Sequence, residues 1–197
     1  MRIIAGSKRG MNLLGPDTRD TRPITDRVKE ALFSILYKYD VIEDGVVGDL
    51  FCGTGSMGLE SISRGAKHVT FVEQSAKVVE ILKRNIEKAR FEQESKVIRG
   101  NVFMMGAPVG PEDEKYNLVF VDPPYAMAAD CGEGSKVAKL LELLCGQLAE
   151  GGIVSVRAHK RTVLLDEYAD LKVIDRRDWG NMAVTLLQLT PAGGEDD

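Results

Sequence analysis

Two short stretches of this chain combine residue types that bind and activate small organic ligands. In the first, Asp49–Gly58, the glycines Gly53, Gly55 and Gly58 form the pattern GxGxxG directly after an apolar run. Glycines there allow a tight turn and let a ligand approach the backbone amides at the start of a helix. Glu73 follows 20 residues after Gly53, where a carboxylate can accept both hydrogen bonds of a ribose diol. Together these residues predict a site for a cofactor that contains adenosine.

The carboxylate of Asp49 indicates which adenosine cofactor the turn would bind. The GxGxxG pattern also occurs in NAD and FAD sites, so the glycines alone leave that class open. A carboxylate beside a helix N-terminus would repel a pyrophosphate. S-adenosylmethionine has no phosphate and carries an ammonium and a sulfonium group, so Asp49 favours this cofactor; its alternative role is to hold the amides of the turn. Phe51 and Thr54, in the same turn, complete this part of the predicted cofactor site.

The second stretch ends an apolar run with an acid, two prolines and an aromatic residue, Asp122, Pro123, Pro124 and Tyr125. Proline fixes its own backbone and disfavours helical geometry in the residue before it, so this segment is rigid. The Asp122 carboxylate can accept one hydrogen bond from an exocyclic amino group, and a backbone carbonyl of the Pro123–Pro124 segment can accept the other. Fixed acceptors would orient the nitrogen lone pair toward an electrophilic methyl group, and Tyr125 could stack on the base. The stretch predicts catalysis of methyl transfer to nitrogen.

Both stretches fall where strands are expected to end. The predicted strands are Val46–Phe51, His68–Val72, Lys96–Arg99, Asn117–Val121 and Ile153–Val156; the predicted helices begin at Ser56 and span Ser75–Ala89 and Lys136–Ala149. This alternation predicts an α/β fold with a doubly wound, mostly parallel sheet. The last two predicted strands, Leu171–Arg176 and Ala183–Leu189, are joined by a short turn, so we expect them to pair antiparallel. Ligands of such sheets bind beyond the carboxyl ends of the strands, which would bring the two stretches together.

The rest of the chain suggests one catalytic domain with a small extension at each end. Residues 1–24 predict an N-terminal β-hairpin extension, residues 25–190 the main domain and residues 191–197 a disordered tail. A helix is expected to begin at Thr25 or Asp26.

Composition limits the classes of function. The 197 residues include 26 basic and 30 acidic side chains, giving a net charge of −4, and apolar runs are too short for a membrane span. Three cysteines without a CxxC pair predict no disulfide framework and fit a reducing cytoplasm, and the two distant histidines predict no metal site. The charge is uneven, since residues 1–30 carry +3 and the remainder −7. Such a basic end can bind phosphates despite an acidic average.

The residues of both stretches resemble class I S-adenosylmethionine-dependent methyltransferases that act on amino nitrogens, with a Rossmann-like sheet. The segments Arg2–Gly10 and Arg22–Phe33 narrow the resemblance to the RsmD family of 16S ribosomal RNA guanine-N2 methyltransferases. The resemblance spans about residues 2–190. It implies that the substrate is ribosomal RNA, within a partly or fully assembled small ribosomal subunit.

The resemblance also implies roles for individual residues. Asp49, Gly53, Gly55, Gly58, Glu73 and Asn101 would bind the cofactor, with Asn101 near the adenine ring, and Asp122–Tyr125 would hold the guanine amino group. The helix start at Thr25–Glu30 would close over the site, and the basic N-terminal segment would contact RNA. The residues expected to face RNA are Arg2, Lys8, Arg9, Arg22, Thr25 and Arg27. Arg157 stands where relatives often carry an acid, and Trp179 where they often carry tyrosine.

Three alternative functions are compatible with parts of the sequence. The Asp-Pro-Pro-Tyr stretch would also suit a methyltransferase that acts on adenine in DNA or on a protein glutamine. The glycine pattern alone would fit an NAD-dependent oxidoreductase. A non-catalytic RNA-binding module could retain the same fold.

Overall fold

The computed structural model describes residues 1–15, 24–108 and 114–190. The strands are β1 (Val46–Leu50), β2 (His68–Glu73), β3 (Ser95–Arg99), β4 (Tyr116–Val121), β5 (Leu148–His159), β6 (Glu167–Tyr168), β7 (Leu171–Trp179) and β8 (Met182–Leu189). The α-helices are α1 (Asp26–Leu36), α2 (Ser56–Ser63), α3 (Ala76–Ala89), α4 (Val102–Met105) and α5 (Lys136–Cys145). Within the described ranges, no helix is long and apolar enough to cross a membrane.

The eight strands form one sheet in the order β3-β2-β1-β4-β5-β8-β7-β6. Strands β1 to β5 are parallel, whereas β8 pairs antiparallel with β5 and β7 pairs antiparallel with β8. The predicted doubly wound sheet with an antiparallel end is therefore confirmed. The strand order reverses between β1 and β4, so their carboxyl ends open a crevice between them, as in other doubly wound sheets. We call the edge at the carboxyl ends of β1–β5 the carboxyl edge, and the opposite one the amino edge.

Local sequence explains why the helices begin where they do. Thr25, Ser75 and Ser135 each accept a hydrogen bond from the backbone amide three residues later, which caps α1, α3 and α5. In α3 the apolar residues recur at helical spacing and are buried against the sheet. Two apolar cores result, one on each face of the sheet, so β1 is buried on both sides.

Strand β5 is longer than predicted, and this difference matters for the site. The helix predicted for Lys136–Ala149 ends at Cys145, and β5 already begins at Leu148. At its other end β5 continues past Val156 to His159, because β8 pairs with it over that whole stretch. The apolar run that predicted the strand could not show this, since Arg157 and His159 interrupt it and are held in the strand by β8.

The N-terminal segment folds back on itself but packs into the main domain. A single antiparallel bridge joins Arg2 to Asn12, and a short 3₁₀ turn spans Gly6–Lys8. Ile3 and Leu13 are buried in the core that α1, α2 and α3 share. The predicted hairpin is therefore present in minimal form, and its apolar side chains contribute to the core of the sheet.

A buried ion pair fastens this segment to two helices. Lys29 Nζ of α1 lies 3.2 Å from Glu60 Oε2 of α2, and the two side chains are 1% and 0% exposed. Glu60 also accepts hydrogen bonds from the amides of Ile4 and Ala5, while Lys29 donates to the carbonyl of Arg2. Burial lowers the pKa of Lys29, and the adjacent Glu60 carboxylate opposes this shift. The ion pair fixes the start of α1 relative to the helix that follows the glycine turn.

Candidate active site

Asp49 anchors the glycine turn from the end of β1. Its side chain is 2% exposed, and Oδ2 accepts a hydrogen bond of 2.8 Å from the amide of Gly58. The alternative role for Asp49, holding an amide of the turn, is thus present in the structure. Burial raises the pKa of Asp49 to about 7; the Gly58 hydrogen bond opposes this, and the nearby Asp122 and Glu73 carboxylates add to it. A buried acid that titrates near neutrality would be stabilised in its charged form by a cationic ligand.

The three glycines of the pattern are required for different structural reasons. A Cβ atom on Gly58 would lie 2.3 Å from the Phe71 ring, and one on Gly55 would lie 2.4 Å from Leu82. Gly58 requires glycine because α2 lies close to β2. Gly55 requires it because it packs against Leu82 of α3 and has a left-handed φ of +87°. Gly53 has a φ of +54°, and a Cβ there would meet no described atom within 4 Å. Gly53 is therefore the glycine of the turn that faces open space.

Glu73 lies beside Gly53, as the spacing predicted. Its Oε2 accepts from the amide of Gly53 at 3.1 Å and its Oε1 from the amide of Ser75 at 2.8 Å. A carboxylate has about four lone-pair positions, so these two contacts leave capacity for hydroxyl donors. The structure brings the acid and the open glycine to one place at the carboxyl edge.

The other predicted cofactor residues border the same turn. Phe51 adopts a left-handed φ of +60°, which is unusual for an aromatic residue and occurs preferentially near functional sites. Its ring lies edge-on to Phe103, with 5.2 Å between centroids. Thr54 is buried, with its carbonyl bound by Asn85. Asn101 follows β3 and caps α4 by accepting from the amide of Phe103.

Asp122 stands at the end of β4, next to the glycine turn, and contacts a residue that the sequence did not identify as its partner. Arg157 Nε of β5 lies 2.5 Å from Asp122 Oδ1, with the two side chains 19% and 25% exposed respectively. Burial raises the pKa of Asp122, and the Arg157 guanidinium opposes this shift. The predicted strand ended one residue before Arg157, so only the pairing of β5 with its neighbours reveals the contact.

The prolines restrict which carbonyl can act with Asp122. The carbonyl of Pro124 already accepts hydrogen bonds from the amides of Met127 and Ala128. No hydrogen bond from the described residues reaches the carbonyl of Pro123, so this oxygen is the acceptor that remains available. Tyr125 is 38% exposed, and its ring packs edge-on against His159 at 5.7 Å between centroids. The Tyr125 side chain is therefore open to solvent on part of its surface, three residues after Asp122.

A small cavity lies between this motif and the start of α1. Its walls include Asp122 and Arg157 together with apolar side chains from α1, α2 and the sheet, among them Ile24, Leu32, Met57, Phe120 and Val184. Ile24, just before α1, and Leu32 within α1 thus border the site. None of the residues Thr25–Glu30 lines this cavity, so their closure over the site stays a prediction.

The residues expected to face RNA are distributed over two edges. Arg2 forms an ion pair with Asp26 at 2.7 Å, and Thr25 and Arg27 are exposed at the start of α1. Arg22 lies outside the described residues. The remaining two, Lys8 and Arg9, lie near the amino edge.

Lys8 and Arg9 sit near the amino edge. The amide of Lys8 donates to Ser63 at the end of α2. The end of α2 is at the amino edge, because Lys67 just beyond it bonds to Gly45 immediately before β1. The structure therefore does not bring Lys8 and Arg9 together with Asp122.

Comparisons with known proteins agree over nearly the full chain. The family model described as "Conserved hypothetical protein 95" matches residues 1–188. Ribosomal RNA small subunit methyltransferase D of Escherichia coli K12 is 34% identical over 197 residues, which cover 100% of this chain and 93% of that protein. YlbH of Bacillus subtilis, provisionally named an rRNA methyltransferase, is 32% identical over 189 residues, covering 94% of this chain and 97% of the relative.

Solved structures show the same fold. The Escherichia coli protein yhhF, provisionally named a methyltransferase, superposes with a TM-score of 0.79 at 33% identity, covering 96% of this chain and 98% of its own. The rRNA methyltransferase aviRa of Streptomyces viridochromogenes has a TM-score of 0.67 at 15% identity, with 88% of each chain covered, a likeness of fold alone.

Proposed function

The chain belongs to the RsmD family of methyltransferases, and from that premise we propose that it transfers a methyl group from S-adenosylmethionine to the N2 amino group of a guanine in small-subunit ribosomal RNA. The observation that carries the proposal is the placement of Asp122, with its Pro123 carbonyl, directly beside the open glycine turn. The relatives named as acting on small-subunit ribosomal RNA support the substrate class.

The turn has features that fit S-adenosylmethionine. The open space at Gly53 would admit the cofactor, and Glu73 keeps lone pairs for a ribose diol. The buried Asp49 would be stabilised as a carboxylate by an ammonium group. When bound, the cofactor would supply an electrophilic methyl group, whose bond to sulfur breaks as its bond to nitrogen forms.

The catalytic stretch would orient the nucleophile. Asp122 and the Pro123 carbonyl would each accept a hydrogen bond from the amino group, which aligns the nitrogen lone pair with the methyl group. Asp122 would also stabilise the positive charge that develops on the nitrogen and would take up the proton released. Tyr125 would stack on the base, which must leave its neighbours in the RNA to enter the site.

The test measures methyl transfer to undermethylated small ribosomal subunits and to free 16S RNA, using radiolabelled S-adenosylmethionine. We expect N2-methylguanosine in the digested RNA, a strong loss with Asp122→Ala, and wild-type activity with Asp166→Asn, an exposed acid outside the site. Absence of labelled RNA, or full activity of Asp122→Ala, would overturn the proposal. Label in DNA adenine or protein glutamine would identify an alternative substrate.

A calorimetric comparison tests the cofactor separately. S-adenosylhomocysteine should bind, and Glu73→Gln should weaken it because a carboxylate contact to the ribose is lost. NADH binding without S-adenosylhomocysteine binding would favour an oxidoreductase instead.

A further inference from the structure

The antiparallel end of the sheet brings a group of cations to the carboxyl edge. Strand β7 runs in the same direction as β5, because each pairs antiparallel with β8. The end of β7 and the turn between β7 and β8 therefore lie beside the end of β5. At this place the chain presents the cations Lys160, Arg161, Arg176 and Arg177, next to His159.

The loop that follows β5, residues 160–162, is held in a defined conformation by β7 and the turn after it. Arg176 donates from Nη2 to the carbonyl of Lys160 at 2.8 Å and from Nη1 to the carbonyl of Thr162 at 3.2 Å. The amide of Lys160 donates to the carbonyl of Asn181 at 3.0 Å. The cation of Arg176 thus organises the loop backbone, and its remaining charge is shared with Asp178 at 3.5 Å.

The side chains of Lys160 and Arg161, unlike that of Arg176, do not hold the loop backbone. Both are exposed, and neither side chain forms an ion pair or a hydrogen bond with the described residues. Arg177, by contrast, is paired with Asp175 at 3.0 Å. Two adjacent unpaired cations on a fixed loop suit an anionic partner, because they lose little conformational freedom of the backbone on binding.

The loop begins immediately beside the catalytic stretch. Arg157 and His159, on one face of β5, contact Asp122 and Tyr125 respectively. Lys160 and Arg161 follow at once. A nucleotide whose base enters the site keeps a phosphate on each side, so its backbone must pass close to this loop.

We propose that Lys160 and Arg161 bind the RNA phosphates that flank the nucleotide in the active site. This inference rests on the proposed function. It places the RNA phosphate contact nearest Asp122 in the loop after β5, whereas the sequence analysis placed RNA contacts in the N-terminal segment. Lys8 and Arg9, near the amino edge, are too far from Asp122 to bind those same phosphates.

The test compares two variants that remove the same charge from opposite edges, Lys160→Gln with Arg161→Gln, and Lys8→Gln with Arg9→Gln. Binding of each to undermethylated 16S RNA is measured against salt concentration. Each phosphate contact contributes roughly 0.7 to 0.9 to the slope of log K against log salt. We expect the slope of the β5-loop variant to fall by about 1.5, with a raised KM for RNA, and that of the amino-edge variant to stay at the wild-type value.

Two controls make the outcome decisive. Binding of S-adenosylhomocysteine should match wild type in both variants, because neither pair lies at the glycine turn. Thermal unfolding should match wild type in the β5-loop variant, whereas the amino-edge variant also loses the contact of Lys8 Nζ with the Phe91 ring, 5.7 Å from its centroid. An unchanged slope in the β5-loop variant, or an equal fall in both variants, would overturn the inference. Methylation of RNA by the wild-type protein remains a separate readout, so failure of the inference is distinguishable from failure of the proposed function.

Discussion

Replacement of Asp49 by asparagine should stabilise the protein, increasingly so as the pH rises. Asparagine has nearly the same shape and keeps an oxygen that can accept from the Gly58 amide. It removes the negative charge and replaces the second carboxyl oxygen with an NH2 group. The buried carboxyl of Asp49 has its pKa raised from 3.8 to about 7 by burial, so the folded protein retains a proton that the unfolded chain releases.

The size of the effect follows from proton linkage. A raised pKa in the folded state contributes stability that is complete below the unfolded value of 3.8 and is lost as pH rises through about 7. In that interval, unfolding free energy falls by about 1.4 kcal/mol per pH unit. From pH 5 to pH 7 the wild-type protein should lose roughly 2–3 kcal/mol that Asp49→Asn does not lose. The pKa of Asp122 is also raised by burial, but Asp122 is present in both the wild-type protein and Asp49→Asn.

Urea denaturation between pH 5 and pH 8.5 measures this difference directly. The difference in unfolding free energy between Asp49→Asn and wild type should rise through neutrality and then level off. Asp166→Asn, an exposed site, should give a flat difference over the same range. A flat difference for Asp49→Asn as well would refute the reasoning that Asp49 is a buried acid titrating near pH 7. Added S-adenosylhomocysteine should reduce the wild-type loss if its ammonium group lies near Asp49.

Two further predictions concern the ion pair of Arg157 with Asp122 and the packing of the glycine turn. Arg157→Gln removes the cation that opposes the raised pKa of Asp122, so the acid side of the kcat/KM profile for RNA should move to higher pH; identical profiles would show that the ion pair does not tune Asp122. Gly58→Ala places a methyl group 2.3 Å from the Phe71 ring and should lower unfolding free energy by about 1–3 kcal/mol. In thermal unfolding, Gly53→Ala should lose about 1–2 kcal/mol for its left-handed backbone, less than Gly58→Ala. A loss for Gly58→Ala no larger than that for Gly53→Ala would contradict the packing explanation.

The sequence was sufficient for the parallel part of the fold. A strand or helix that is buried against the core has a pattern of apolar residues that can be recognised in a short window of sequence. Parallel strands buried on both faces give the clearest pattern, because they are continuous apolar runs. The pairing of the last two strands followed from the short turn between them. What the sequence misjudged was the length of β5, since Arg157 and His159 interrupt the apolar run and remain in the strand because β8 pairs with them.

By itself, the sequence also predicted the chemistry of the two motifs, because residue types and spacing decide which groups stand at the ends of β1, β2 and β4. Tertiary structure decided which of these groups remain free. It shows that neighbouring side chains occupy the space beside Gly55 and Gly58, whereas the space beside Gly53 is empty. It also shows that the Pro124 carbonyl already accepts hydrogen bonds from backbone amides. It also joins Arg157 to Asp122 and places Lys8 near the opposite edge. These outcomes depend on strand order and on contacts between residues far apart in the chain, which no local pattern records.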